Sequence, residues 1–373
     1  MATEYAEHTI TQLPELISAL SDADRARFKR VYAVSTAEGR LHAPISMIPW
    51  IESTFGKLTA VESQRIVRVS NHVTGEGTLF NQLRAHRPIR TELLSQSGPD
   101  NGVSAALRDD PWATPTEATP QDTFGRLFND HGVTAANIAK YDAVHSIIVF
   151  SNPDPLAFTA ESVTAHLALA QDWIRVAHDD DSAAVYPYIM WNCLWRAGGS
   201  IVHGHTQVSL ARGRHYAKIE RLRADAERYR LENGAPYFDD LVNIHESLGL
   251  AHRVGDVSVL AHLTPLKEKE CLLIVDSSVR ESARGKALGA ALFDTLRVYR
   301  DILGVRSFNV GVLLPPVNQT VESWEEFPVV VRIVDRGSLE TRTSDIGGME
   351  MFAESVVAAD PFAVHRALIA EGV

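Results

Sequence analysis

The chain has 373 residues, with 36 Lys and Arg against 47 Asp and Glu and 45% apolar residues. At roughly 150 residues per domain, this length predicts about two globular domains, and the composition excludes a disordered or collagen-like chain. The net charge of −11 disfavours sequence-independent nucleic-acid binding, which needs a basic surface. Because Cys193 and Cys271 are the only cysteines, a disulfide framework and a cysteine-rich zinc site are excluded.

The hydropathy and the N-terminal segment predict the compartment. No apolar run approaches the roughly 18 residues that a membrane-spanning helix needs. Residues 1–17 are acidic and lack the basic region and apolar core of a signal peptide. We therefore expect a cytoplasmic protein with neither a membrane nor a nucleic-acid partner.

The spacing of apolar residues predicts the elements of the first half in chain order. They are a partly helical segment at 1–60, a hairpin at 66–80, a loop or mobile insert at 97–122, a strand at 146–150, a helix at 160–178, strands at 184–192 and 200–210, and a helix at 214–233. Gly234 follows the last of these helices in the position of a C-cap.

The second half repeats this order of elements. It comprises strands at 257–263 and 270–276, a helix at 281–304, strands at 307–315 and 327–335, and helices at 349–360 and 361–372. The repetition predicts an α+β fold of two related units with antiparallel sheets flanked by helices. We expect an N-terminal extension at 1–60, a first repeat at 61–234 and a second, degenerate repeat at 235–373.

Three polar side chains in the predicted strand at 200–210 carry the chemistry. His203, His205 and Gln207 are spaced i, i+2, i+4, so a strand would present them on one face. An unprotonated imidazole can attack phosphorus if its other ring nitrogen donates a proton to a neighbour. Gln207 could donate to a phosphoryl oxygen as charge develops on it. This arrangement favours nucleotidyl transfer through a covalent histidine intermediate.

The residues before this strand strengthen the catalytic interpretation. Gly198 and Gly199 allow close approach of the backbone or offer N–H groups to an anion, and Ser200 adds a hydroxyl donor. A His-x-His pair alone is also a common zinc-ligand pair or two histidines on a half-exposed sheet. The Gly-Gly-Ser turn and Asn192, which precedes His203 by eleven residues, favour catalysis over both.

At these residues the chain resembles the galactose-1-phosphate uridylyltransferase-like family of the histidine-triad superfamily. The family pattern is an Asn followed by Gly-x-Ser-x-x-His-Pro-His-x-Gln, and here it reads Asn192, Gly198, Ser200, His203-Gly204-His205-Thr206-Gln207. The resemblance implies that His205 is the residue that becomes covalently nucleotidylated. It also implies that Gln207 and Ser200 hold phosphoryl oxygens, while Asn192 supports the site.

The resemblance implies further substrate contacts outside this motif. Residues 71–88 resemble a family signature in which Arg84 and Arg87 lie over the nucleotide and its phosphates. Residues 347–354 resemble a helix start in which Glu350 bonds sugar hydroxyls. The alternatives are two solvated surface arginines and a first-turn Glu that the helix dipole favours.

Two alignments compete for the contact to the nucleoside. The segment Phe128-Asn129-Asp130 resembles a family Phe-x-Asn-Asp segment, which would assign this contact to Asn129 and Asp130. Residues 137–151 are the competing match and would use Asn137 instead.

The departures from the family concern its metals and its acceptor. The family's zinc-binding Cys pair is missing, and residues 152–155 hold no His. A late His-x-His strand, which binds a second metal in the family, carries Val330 and Arg332 here, and a phosphate-reaching Lys is Ser344. The sequence therefore predicts no metal and no other cofactor. Arg332 is a candidate cation for an acceptor phosphate that arrives from another direction.

These observations predict a metal-independent nucleotidyltransferase. It would move a nucleoside monophosphate, by resemblance UMP, from a nucleotide or nucleotide-sugar donor through His205 to a sugar 1-phosphate or a related phosphorylated acceptor. The resemblance also implies a homodimer. Two alternatives stay open: a dinucleoside-polyphosphate phosphorylase or hydrolase, and a non-catalytic nucleotide sensor.

Overall fold

The computed structural model describes residues 8–86, 99–275, 281–341 and 344–370. Its strands are β1 (Tyr32–Arg40), β2 (Ser63–Asn71), β3 (Gly77–Phe80), β4 (Phe128–Asn129), β5 (Gly132–Ala136), β6 (Val144–Phe150), β7 (Ala184–Asn192), β8 (His205–Arg212), β9 (Ala251–Val254), β10 (Val257–Ala261), β11 (Cys271–Val275), β12 (Phe308–Leu313), β13 (Val330–Asp335) and β14 (Ser355–Val357). Its helices are α1 (Leu13–Ala19), α2 (Asp22–Val31), α3 (Ile48–Phe55), α4 (Leu58–Glu62), α5 (Pro99–Arg108), α6 (Pro115–Ala118), α7 (Ala160–Asp180), α8 (Ala217–Asn233), α9 (Tyr237–Ser247), α10 (Glu281–Asp301), α11 (Gly348–Phe352) and α12 (Pro361–Ala370).

A large antiparallel sheet is built from two copies of one unit. Its strand order is β4-β5-β6-β8-β7-β12-β13-β11-β10-β9, in which β5-β6-β8-β7 recurs as β10-β11-β13-β12. Along the chain, each unit has a long helix between its second and third strands: α7 lies between β6 and β7, and α10 lies between β11 and β12. The two units meet where β7 and β12 pair, with Asn192 opposite Asn309. The predicted α+β fold of two repeats is confirmed, while the boundaries at residues 60 and 234 stay predictions.

Helices α7 and α10 pack against each other. The apolar residues of α7 recur every three or four positions, and Val163, Leu167 and Trp173 are buried. Thr159 caps this helix by accepting the backbone N–H of Ser162. On α10, a Cβ at Gly289 would lie 2.4 Å from Oγ1 of Thr164, so the two helices approach closely only because this residue is glycine.

A smaller sheet joins the two ends of the chain in the order β1-β2-β3-β14. The predicted hairpin at 66–80 is confirmed, since β2 and β3 pair antiparallel. The helix predicted at 349–360 is mostly wrong, because only α11 is helical and β14 then pairs parallel with β3. Valine-rich residues 355–357 suit a strand, and their pairing partner lies far away in the sequence.

The interpretation of residues 97–122 as a loop was also wrong, because they contain α5 and α6. Proline stands at the first position of each of these helices, where its missing N–H costs nothing. Val103 of α5 is buried in the main core, and a Cβ at Gly102 would lie 3.7 Å from Cη2 of Trp195. Tertiary packing therefore orders a segment whose composition is typical of a loop.

The strand predicted at 200–210 begins only at His205. The N–H of Gly204 donates to the carbonyl oxygen of Pro153 at 2.9 Å, which draws the chain toward the loop after β6. A Cβ at Gly204 would lie 2.5 Å from Cδ2 of Phe150, so no larger residue fits. His203 consequently precedes the strand, and strand alternation does not determine where its side chain points.

Candidate active site

His205 is the first residue of β8 and pairs with Val149 of β6. Its side chain is buried, and Nδ1 donates to the carbonyl oxygen of His203 at 2.8 Å. Burial lowers the pKa of His205, the positive field of His203 lowers it further, and only the backbone bond opposes the change. The neutral ring therefore carries its lone pair on Nε2, and no described residue bonds to that atom. This is the state that a nucleophilic imidazole requires.

His203 is held by acceptors on both sides of its ring. Nδ1 lies 2.6 Å from Oδ2 of Asp110, and Nε2 lies 2.8 Å from the carbonyl oxygen of Phe150. A carboxylate and a carbonyl both accept, so each ring nitrogen acts as a donor here. No lone pair remains to attack phosphorus, and the two histidines of the motif therefore have different roles.

The orientation of Gln207 follows from its partner, His145. The backbone N–H of Tyr141 donates to Nδ1 of His145 at 2.9 Å, so the proton of this imidazole is on Nε2. Nε2 donates to Oε1 of Gln207 at 3.0 Å. Burial lowers the pKa of His145, which favours this neutral form. The amide nitrogen of Gln207 thus remains a donor on the face that carries His205.

The sequence analysis missed two residues that contact the histidines, Asp110 and Trp112. The Trp112 ring lies edge-on to His205 with centroids 5.0 Å apart, and it packs on Val133, Ala135, Ile147 and Val149. Asp110 bonds His203 and also accepts the backbone N–H of Trp112 at 2.9 Å. The available signal was a Trp directly after two acidic residues and a proline, in a segment interpreted as a mobile insert.

Gly198, Gly199 and Ser200 form a turn between β7 and β8, as the motif predicts, and we call it the glycine turn. Gly198 has a φ of +89°, which favours glycine. A Cβ at Gly199 would lie 2.8 Å from the carbonyl oxygen of Asn192, so this close approach also requires glycine. Oδ1 of Asn192 accepts from Nδ2 of Asn309 at 2.7 Å. Ser200 is exposed, and its hydroxyl is therefore accessible to a ligand.

Arg332 does not present a free cation, which corrects the expectation from the sequence. It shares a sheet face with Gln207 but lies three strands away, roughly 14 Å at the usual strand spacing. Its Nε pairs with Glu270 at 2.5 Å and its Nη1 with Glu76 at 2.6 Å. Burial alone would raise the pKa of Glu76, but the charge of Arg332 holds it down at about 2. Two carboxylates therefore neutralise this guanidinium.

The predicted contacts Arg84, Asn129 and Asp130 lie on the surface. Arg84 is exposed in a short 3₁₀ turn, and Arg87 lies outside the described residues. Asn129 and Asp130 are exposed, and the Asn129 amide donates to the carbonyl oxygen of Ala165 at 2.7 Å. The structure therefore does not bring Arg84, Asn129 or Asp130 into hydrogen-bond contact with His205.

Glu350 lies in the first turn of α11. Its Oε2 accepts the backbone N–H of Gly347 at 2.9 Å, as a helix-capping carboxylate does. This is the arrangement that the helix-dipole alternative predicts, and a bond to a sugar hydroxyl would use the other oxygen.

Metal sites and membrane spans were sought within the described ranges. There, no three His, Cys, Asp or Glu side chains converge to hold a metal ion. In the same ranges, no helix has the length and apolar character to cross a membrane.

Comparisons with known proteins place the fold. An ADP-glucose phosphorylase from Arabidopsis thaliana, solved with bound ADP-glucose, superimposes with a TM-score of 0.59 at 15% identity, over 79% of this chain and 95% of that chain. A GalT-like protein from Arabidopsis thaliana has a TM-score of 0.55 at 14% identity, over 69% and 89%. A uridylyltransferase has 0.55 at 12%, over 68% and 88%. No protein-family model and no curated protein sequence matched the chain.

The chain thus shares the fold of these three solved proteins, among them a uridylyltransferase and a GalT-like protein. This confirms the fold that the sequence resemblance predicted. At these identities the likeness extends to the fold alone, so any activity must be argued from the site itself.

Proposed function

We propose that the protein is a nucleotidyltransferase that works through a covalent nucleotidyl-His205 intermediate. The observation that carries this proposal is the buried, neutral His205 ring, whose Nδ1 proton is bound by the His203 carbonyl while Nε2 stays open. Nε2 attacks the α-phosphorus of a donor, and the bond from phosphorus to the leaving-group oxygen breaks. An oxygen of the acceptor then attacks the same phosphorus and releases His205.

Three hydrogen-bond donors can support the transition state. The Gln207 amide can donate to a non-bridging phosphoryl oxygen, because His145 occupies its carbonyl end. The backbone beside Gly198 and the exposed hydroxyl of Ser200 can bind the phosphates of the donor. His203 and Asp110 do not react; they hold the carbonyl that orients His205.

The proposed donor is a nucleotide or nucleotide sugar, and the proposed acceptor is a sugar 1-phosphate or a related phosphorylated molecule. The sequence resemblance favours UMP as the transferred group. The likeness in fold to a phosphorylase solved with ADP-glucose supports a second candidate, in which AMP is transferred to inorganic phosphate. We further propose a homodimer, as the resemblance implies. It would need no metal, because the family's metal ligands are replaced here, and it would be cytoplasmic, as the hydropathy and the N-terminal segment predict.

Intact-mass spectrometry with a panel of donors tests the proposal. The protein is incubated with UDP-glucose, ADP-glucose or a dinucleoside polyphosphate, and products are identified after adding glucose 1-phosphate or inorganic phosphate. We expect a mass increase of one nucleotidyl group, whose size identifies the base, and its loss when the acceptor is added. A protein that binds nucleotides but never gains mass would instead be a sensor.

A further inference from the structure

A cationic pair lies beside the central strands, formed by Arg336 and Lys267 around one carboxylate. Nε of Arg336 lies 2.8 Å from Oδ2 of Asp345, and Nη2 lies 2.9 Å from Oδ1. Nζ of Lys267 lies 3.9 Å from the same Oδ2 and donates to the carbonyl oxygen of Asp345. We call Arg336 and Lys267 the cation clasp. Its forked geometry is the one that Arg uses to bind a carboxylate or a phosphate.

The clasp holds more positive charge than its own carboxylate cancels. Glu268 and Glu350 are the other acidic groups whose field reaches Lys267. Both have partners elsewhere, since Glu268 accepts backbone N–H groups at residues 358–359 and Glu350 accepts the N–H of Gly347. Burial lowers the pKa of Lys267, which means that its ammonium lacks full solvation. The oxygens of one phosphate could accept from the fork of Arg336 and from the ammonium of Lys267 together, whereas the nearer carboxylate oxygen of Asp345 lies 3.9 Å from Nζ of Lys267.

Hydrogen bonds connect the clasp to the glycine turn. Nη1 of Arg336 donates to Oδ1 of Asn309 at 2.5 Å. Nδ2 of Asn309 donates to Oδ1 of Asn192 at 2.7 Å and to the carbonyl oxygen of Ala197 at 2.8 Å. The clasp is therefore one side chain away from the residues that flank Gly198. In the proposed function the backbone beside Gly198 binds the phosphates of the donor, so a phosphate held by the clasp would lie close to them.

The carboxylate in the clasp can be displaced at low cost. Asp345 lies in the irregular segment before α11, and its side chain is 22% exposed. The neighbouring Ile346 and Met349 are 42% and 47% exposed, so this segment buries little apolar surface. Arg332 offers the contrast, because its partner Glu270 is completely buried. An anion that displaced Glu76 would still leave Arg332 paired with the buried Glu270, whereas Asp345 is the carboxylate that the fork of Arg336 contacts.

We propose that Arg336 and Lys267 bind the phosphate of the acceptor, and that Asp345 occupies this site until the phosphate displaces it. This inference rests on the proposed nucleotidyl transfer for its role in catalysis. Binding of phosphate at this site does not require a nucleotide and can be measured on the unmodified protein. The acceptor class is a phosphate dianion, either inorganic phosphate or a phosphate monoester such as a sugar 1-phosphate.

Binding of phosphate to the unmodified protein tests the site directly. Dissociation constants of inorganic phosphate and of glucose 1-phosphate are measured by calorimetry for the wild type, Asp345→Asn and Arg336→Gln. Removing the competing carboxylate in Asp345→Asn should tighten binding about tenfold, and losing the fork in Arg336→Gln should weaken it at least about tenfold. Arg336→Lys should lie between the wild type and Arg336→Gln, because a point charge lacks the fork.

Asp181→Asn is the matched control, because it also removes a carboxylate that pairs with an arginine. That arginine, Arg212, lies at the far end of β8. The phosphate affinity of Asp181→Asn should equal that of the wild type. Thermal melting curves establish that each variant is folded, and Asp345→Asn decides the question if Arg336→Gln does not fold. A folded Asp345→Asn protein whose affinity does not exceed that of Asp181→Asn would overturn the proposal.

The acceptor half-reaction separates this inference from the proposed function. With nucleotidylated protein in hand, Asp345→Asn should lower the KM of the acceptor and Arg336→Gln should raise it, while Asp181→Asn leaves it unchanged. Failure of the wild type to form any adduct defeats the proposed function, and the dissociation constants then decide the anion site alone. An adduct that turns over with the same acceptor KM in all variants defeats only the inference.

Discussion

At the scale of single residues, two neighbouring histidines differ in their hydrogen-bond partners, and these partners determine which ring keeps a free lone pair. Nδ1 of His205 donates to a carbonyl oxygen and Nε2 keeps its lone pair, whereas both ring nitrogens of His203 face acceptors. The sequence motif predicted the pair but could not assign these roles. Asp110 precedes His203 by 93 residues, and a local sequence pattern cannot predict a contact across that separation.

Asp110→Asn tests the support of His203. The amide keeps the shape of the side chain but removes the charge from a buried pair, and leaving the partner uncompensated commonly costs about 3–5 kcal/mol. We expect a lower melting temperature and an adduct that forms at least about tenfold more slowly, because His203 carries the carbonyl that orients His205. The exposed neighbour Asp109 provides the control, and Asp109→Asn should change neither quantity. Equal effects at both positions would contradict this role.

The pH dependence of nucleotidylation tests the state of His205. Its pKa in the folded protein lies below the ordinary value of 6.5, with burial as the main cause, so the ring remains a neutral nucleophile as the pH falls past 6.5. The rate with a diphosphate-ester donor should therefore fall with a midpoint below pH 6.5. Stopped-flow or quenched-flow measurement of the first half-reaction gives the profile. A midpoint at or above 6.5 would show that burial does not control this group.

At the scale of elements, packing decides the structure of segments whose composition is ambiguous. The 3.6-residue spacing in α7 and the glycine after α8 were sufficient to predict both helices. The Pro- and Asp-rich segment that contains α5 and α6 was not predictable, because its order comes from Val103 in the core and Trp112 over β5 and β6. The partners of Arg332 could not be predicted either, because Glu76 and Glu270 lie in turns that are far from it in the sequence.

Trp112→Ala tests whether the segment between α5 and α6 shields the active site. Removing the indole exposes His205 to water, and solvation of the charged form should raise its pKa toward the ordinary value. We therefore expect the midpoint of the nucleotidylation profile to move to higher pH, while Trp112→Phe keeps it near that of the wild type. Trp50→Ala, at an exposed indole of α3, is the control. An unchanged midpoint in Trp112→Ala would show that the segment does not shield His205.

Gly289→Val tests the contact between α7 and α10. The added side chain would collide with the backbone of Thr164, whose Cα already lies 2.9 Å from a Cβ at this position. Overpacking of this kind costs about 1–3 kcal/mol, so the free energy of unfolding in urea should fall by that amount. At Gly348 a Cβ meets nothing within 4 Å, and Gly348→Val should be nearly neutral. Equal stability of the two variants would mean that the helices can separate without cost.

At the scale of the whole molecule, the two copies of the duplicated unit differ in the polar side chains that their corresponding sheet faces carry. The two copies share a strand order and meet at β7 and β12. The first copy presents His205 and Gln207, while the corresponding face of the second holds the neutralised Arg332. The repeated order of elements allowed this architecture to be predicted. The pairing of Asn192 with Asn309 across the two copies, which links the cation clasp to the glycine turn, required the structure.

Mapping the covalent adduct tests the central claim most directly. Wild type, His205→Ala and His203→Ala proteins are incubated with the donor that labels the wild type, digested under alkaline conditions that preserve the phosphorus–nitrogen bond, and sequenced by tandem mass spectrometry. The account predicts one nucleotidyl group on His205 in the wild type, none in His205→Ala, and slower labelling at His205 in folded His203→Ala. Labelling of His203, or an adduct that persists in His205→Ala, would contradict it.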